Sequence, residues 1–150
     1  MAAHEFTIKR RVEFSETDMA GIVHFSNFCR YMEHAEHAFF RSLDRSIVDP
    51  ALGIGWPRVH MSCDFKKPLC FEDEVEIHLL VSAKTSKSIS YQFRFRVADA
   101  EAALADTTPV IHEELGDNLA WRRNADFGDG CTTCEVRFLR SPIEQRRCRR

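Results

Sequence analysis

A chain with one segment of helical periodicity, in which most other regular segments alternate, has few ways to fold. From Asn27 to Leu43 the apolar residues Phe28, Met32, Ala35, Phe39 and Leu43 recur three to four apart, with Tyr31 and Ala38 beside them. That spacing collects them on one stripe of an α-helix about 25 Å long. Ser26 or Asn27 can cap its start. So apolar a stripe needs a second apolar surface to lie against, and a sheet supplies one.

The sheet is written in the alternating segments. Glu5–Phe14 places Phe6, Ile8, Val12 and Phe14 on one face, interrupted by Arg10, and Thr7, Lys9, Arg11 and Glu13 on the other. Asp44–Pro57 is a loop, marked by Pro50, Gly53, Gly55 and Pro57. Val59–Phe65, Val75–Val81 and Ile89–Val97 then alternate with period two, joined by connections short enough to make the strands antiparallel. Residues 98–129 read as an insertion with some helix. Gly130–Leu139 resumes the alternation as a fifth strand, and Pro109 counts against its rival, Ala102–Ile111. The basic tail over residues 145–150 reads as mobile. The expected architecture is α+β, a five-stranded antiparallel sheet curled around one long helix, in a single domain.

Composition excludes more than it specifies. A net charge of −2 gives no global reason to expect a nucleic acid or a membrane as partner. The start, Met1-Ala2-Ala3-His4-Glu5, lacks the apolar run of a secretory signal, so the expected location is cytoplasmic and free thiols are expected at the cysteines. Cys131-Thr132-Thr133-Cys134 is a CxxC, but on a strand its thiols point to opposite faces. Glu33 and His37 share a helix face at i, i+4, yet no third ligand is marked out, so an exposed, solvated face is the reading there.

The residues between the first strand and the helix carry the chemistry. Asp18 stands in a short loop that Ala20-Gly21 allows to bend, just before a helix N-terminus. Unpaired amides and the positive end of the helix dipole gather there. A carboxylate beside such amides suits acyl chemistry, the acid acting on a carbonyl whose oxygen the amides hold. The same pattern is also an ordinary helix entry.

Phe14 to Ala38, with Asp18-Met19-Ala20-Gly21-Ile22-Val23 followed by Phe25-Ser26-Asn27-Phe28, resembles the Asp-containing loop of the 4-hydroxybenzoyl-CoA thioesterase branch of the hotdog-fold superfamily. Cys63-Asp64-Phe65-Lys66-Lys67-Pro68-Leu69 and Phe71-Glu72-Asp73-Glu74-Val75 resemble that family's connection from second to third strand, and Lys87-Ser88 its following hairpin. The resemblance implies a hotdog fold and hydrolysis of an acyl- or aroyl-CoA thioester with no metal or organic cofactor. It implies Asp18 as nucleophile or general base, and the Phe25 backbone amide as the donor that polarises the carbonyl. At the hairpin it implies Lys87, with Ser88 beside it, as a contact for the CoA phosphates; Thr85 and Ser86 stand where those relatives are basic, and Lys84, Lys66 and Lys67 are the candidate substitutes.

Three departures from the family pattern stand out. His24 lies one place before Phe25, where some relatives carry His. Glu16 reads as a solvated second acid. The stretch over residues 98–129 exceeds the family's usual hairpin. A lone domain of this shape exposes a sheet edge and a helix mouth, so a homodimer or homotetramer with sites between subunits is expected. Two rivals keep the fold: a non-catalytic acyl-CoA binder, and a dehydratase using His24 as base.

Overall fold

The computed structural model describes residues 4–48, 56–98 and 100–108, with the backbone of residues 109 and 134–138. In chain order come β1 (Glu5–Arg11), a 3₁₀ turn (Phe14–Glu16), α1 (Asn27–Ser42), β2 (Arg58–Phe65), β3 (Glu74–Lys84), β4 (Ile89–Val97), β5 (Ala100–Pro109) and β6 (Cys134–Phe138). They form one sheet in the order β1-β3-β4-β5-β2-β6. The first five strands of that order pair antiparallel throughout, and β6 joins the β2 edge in parallel.

The helix lies on the sheet by the stripe the sequence marks. Phe28, Tyr31, Met32, Ala35 and Phe39 are buried against Val75, Ile77, Leu79, Phe93 and Phe95 in one core cluster. Phe28 anchors the first turn, its ring 4.9 Å from that of Phe65 and 5.2 Å from that of Phe95, both edge to face. Phe39 anchors the far end, 6.0 Å from Phe6 of β1. With the antiparallel strands wrapped on one helix, the architecture is the expected α+β hotdog fold.

The fifth antiparallel strand is not where the alternation points. It is Ala100–Pro109, inside the stretch read as an insertion, while Cys134–Phe138 supplies a sixth, parallel strand. β5 hides in the sequence because its inward residues Ala103, Ala105 and Thr107 are small, and alanine is a poor strand former. They are small for a packing reason. Their register partners on β4 are Phe95, Phe93 and Tyr91, whose rings fill the space above both strands. Pro109 is tolerated because it ends the strand, opposite Arg58 and beyond a register shift, where a missing N–H interrupts no ladder.

β1 also ends sooner than the alternation suggests, at Arg11, and Phe14 turns outward in the 3₁₀ turn. Cys70 is disulfide-bonded, where a free thiol was expected. Residues 110–129, Cys131 and the basic tail lie outside the described residues. Among those described, no helix is long and apolar enough to cross a membrane.

Candidate active site

Residues between β1 and α1 close on themselves. Thr17 bridges to Val23, and Ile22 bridges to Cys70. Inside that loop the Asp18 amide donates to the Ile22 carbonyl at 2.8 Å, and the Gly21 amide to the Asp18 carbonyl at 2.9 Å. Gly21 takes φ +76°, a left-handed conformation that side chains disfavour, so the turn depends on glycine here. The turn also orients the acid. Asp18 Oδ1 accepts from the Ala20 amide at 2.8 Å and, at the 3.5 Å limit, from that of Ile22. Among the described residues Oδ2 has no partner, and the side chain is exposed.

The helix mouth follows at once. The Asn27 amide donates to the His24 carbonyl at 2.9 Å, and the Phe28 amide to that of Phe25 at 3.2 Å. No acceptor among the described residues meets the N–H of Phe25. It is an open donor beside the positive end of the helix. The expected side-chain cap is absent, because Ser26 Oγ bonds His24 Nδ1 at 2.8 Å instead of a helix amide. His24 is exposed, and its ring lies 4.4 Å from that of Phe25.

Glu16 overturns its reading as a solvated acid. It is 9% exposed, and its carboxylate accepts from Arg10 at 2.5 Å, from the Tyr31 hydroxyl at 2.7 Å and from the Glu13 amide at 2.9 Å. Arg10, which breaks the apolar face of β1, spends that position on a guanidinium 4.0 Å from the centroid of the Tyr31 ring. Burial and the bond to Glu16 both raise the Tyr31 phenol above its ordinary range, so it stays a donor. An acid of the 3₁₀ turn, an arginine of β1 and a tyrosine of α1 thus meet below the loop. The one signal of it in the sequence is Arg10 on an apolar face.

The surroundings of the loop are apolar and uncovered. Met19 is fully exposed, Phe14 is 75% exposed, and Phe25 and Phe71 are about half exposed. Phe14 and Phe71 meet edge to face at 5.8 Å. They rim an open groove of about 600 Å³ that Arg11, His34 and Glu72 also line and Asp18 does not.

At the β3–β4 hairpin the turn is held by Thr85, whose amide donates to the Ser88 carbonyl at 2.9 Å and whose Oγ1 lies 2.8 Å from Ser88 Oγ. Lys84 and Lys87 project into solvent with no ion partner among the described residues. Lys66 is paired with Glu101. On the helix, no cluster of three metal-ligating residues exists among those described. Glu36, in the stretch read as an exposed face, is buried on the core side and paired with Arg58. Burial outweighs that pairing and raises the Glu36 carboxyl above its ordinary value.

A sequence profile described as the thioesterase superfamily matches residues 20–103, beginning just past Asp18. A 1,4-dihydroxy-2-naphthoyl-CoA hydrolase of Nostoc punctiforme is 29% identical over 148 residues, covering 87% of this chain and 98% of its own. A gentisyl-coenzyme A thioesterase of known structure is 31% identical, with a TM-score of 0.67 over 72% of this chain and 89% of that one. A 4-hydroxybenzoyl CoA thioesterase mutant, solved with 4-hydroxybenzoyl CoA, shares the fold at 22% identity, with a TM-score of 0.69 over 77% of this chain and 89% of that one.

Proposed function

This chain belongs to the thioesterase superfamily and is an acyl-CoA thioesterase, and from that premise we propose that Asp18 and the Phe25 amide carry out the cleavage. The observation that carries the reading is the open N–H of Phe25, at the mouth of α1, directly after a loop whose own amides orient Asp18. The thioester carbonyl oxygen accepts from Phe25 N–H, which with the helix dipole stabilises the negative charge that develops there. Asp18 Oδ2, the oxygen the loop leaves free, then acts on the carbonyl carbon.

Two routes use the same atoms. In one, Oδ2 attacks carbon, CoA departs as the thiolate and takes up a proton, and water hydrolyses the resulting mixed anhydride. In the other, Oδ2 takes a proton from water as the water attacks. Both end in a free acid and CoA, with no cofactor. Lys84, Lys87 and the Ser88 hydroxyl present donors for the CoA phosphates at the hairpin. An aroyl substrate is favoured, since the relatives compared above are named for aromatic acyl groups. A second copy of the chain, in a homodimer or homotetramer, covers Met19, Phe14 and Phe25 and closes the site against water.

The test is CoA release from a panel of short-chain, long-chain and aromatic acyl-CoAs. Cleavage with an aromatic preference supports the reading. Tight binding without cleavage makes the protein a carrier, and hydration of an enoyl-CoA that depends on His24 makes it a dehydratase.

A further inference from the structure

We propose that Glu16 is a positioning residue, a buried carboxylate that braces the Asp18 loop against the mouth of α1. The proposal rests on the roles given above to Asp18 and the Phe25 amide, and adds what holds them in register. Glu16 is bonded on every side. Its Oε1 accepts from Arg10 Nη2 at 2.5 Å, and its Oε2 from the Glu13 amide at 2.9 Å and the Tyr31 hydroxyl at 2.7 Å. Its main-chain carbonyl accepts from the His24 amide at 2.9 Å and from Asn27 Nδ2 at 2.8 Å.

The donors explain the function. Asn27 and Tyr31 are four apart on one face of the first helical turns, so the helix grips Glu16 twice, once by its side chain and once by its backbone. His24 and Asn27 flank Phe25, and Glu16 stands two residues before Asp18. Each proposed reacting group therefore lies within two residues of a bond to Glu16. The loop between them is also tied by the isolated bridges at Thr17 and Ile22, by the turn bonds of Asp18 and Gly21, and by the Val23 amide, which donates to the Leu69 carbonyl at 2.8 Å. A charged, low-exposure carboxylate with this many donors is stiff, because any shift breaks a bond in a site of low dielectric. Burial of an acid in this place is otherwise hard to account for, since an apolar residue would fill the space without the desolvation cost.

The experiment measures kcat and KM for CoA release, with amide exchange at His24 as a second readout, in Tyr31→Phe, Glu16→Gln and a core control, Ile77→Val. Tyr31→Phe removes one donor and leaves the ion pair to Arg10 in place, so it decides the matter even if Glu16→Gln does not fold. A displacement of a few tenths of an ångström at the reacting groups corresponds to about a ten-fold loss of kcat. The expected result is that loss in Tyr31→Phe, a larger one in Glu16→Gln where it folds, KM within about three-fold, and faster exchange at His24 in both. Ile77→Val should weaken the fold and leave kcat within about two-fold. Parent-like kcat and parent-like His24 exchange in Tyr31→Phe would overturn the brace, as would an equal loss of kcat in the control. If Asp18→Asn cleaves as well as the parent, the reading of the site fails, and exchange at His24 still decides whether Glu16 holds the loop.

Discussion

Truncating Phe28 to alanine tests how the helix is seated. The side chain is 3% exposed, and its ring meets those of Phe65, Phe95 and Tyr31 at 4.9, 5.2 and 5.9 Å. A buried phenylalanine removes about 150–250 Å² from water, which at about 25 cal/mol per Å² is roughly 4–6 kcal/mol. Alanine keeps part of that, and a compact unfolded chain has already buried some. Phenylalanine-to-alanine changes in cores cost about 3–5 kcal/mol, and three ring contacts place Phe28→Ala near the middle, at about 4 kcal/mol. In urea the midpoint should fall by about 2 M for a slope near 2 kcal/mol per M. Thermally, the drop is about 8–16 °C for a chain of this size. Val48→Ala, at a side chain 65% exposed, is the control and should stay within about 0.5 kcal/mol. A Phe28→Ala loss under about 1 kcal/mol would refute the view that this ring ties helix to sheet.

Ala105→Leu should destabilise by about 1–3 kcal/mol in the same titration, because the added carbons collide with the Phe93 side of the core; a neutral or stabilising result would mean that β5 is small for some other reason. Glu36 holds its proton more tightly folded than unfolded, since burial raises its carboxyl above the ordinary 4.5. Stability from this group is therefore present below 4.5 and is lost as pH rises through the raised folded value. Glu36→Gln should remove that part of the pH slope, and an unchanged slope in pH-dependent unfolding would count against it. Lys87→Ala should raise KM for an acyl-CoA about three-fold at low salt, leave kcat unchanged, and lose the effect near about 0.5 M salt; a salt-independent change would move the phosphates elsewhere.

How much was legible follows from which signals are local. The helix stood out because Phe28, Met32, Ala35 and Phe39 keep one period over about three turns, and β3 and β4 because their large apolar residues alternate. β5 did not, because alternation is read from bulk, and Ala103 and Ala105 have almost none. The loop bearing Asp18 was readable from Gly21 and the helix start that follows it. Glu16 was not, because a lone acid in sequence reads as solvent-facing, and only tertiary contact brings Arg10 and Tyr31 to it. Glu36 was missed for the same reason, its partner Arg58 reaching the helix from β2.

The most direct measurement is the rate of CoA release by Asp18→Asn against the parent on a cleaved aroyl-CoA, with both proteins folded by circular dichroism. Asparagine keeps the shape and the amide-facing oxygen but cannot attack carbon or accept a proton from water, so kcat should fall by about 10²–10⁴-fold with substrate still bound. A variant that releases CoA at the parent's rate would contradict the central claim.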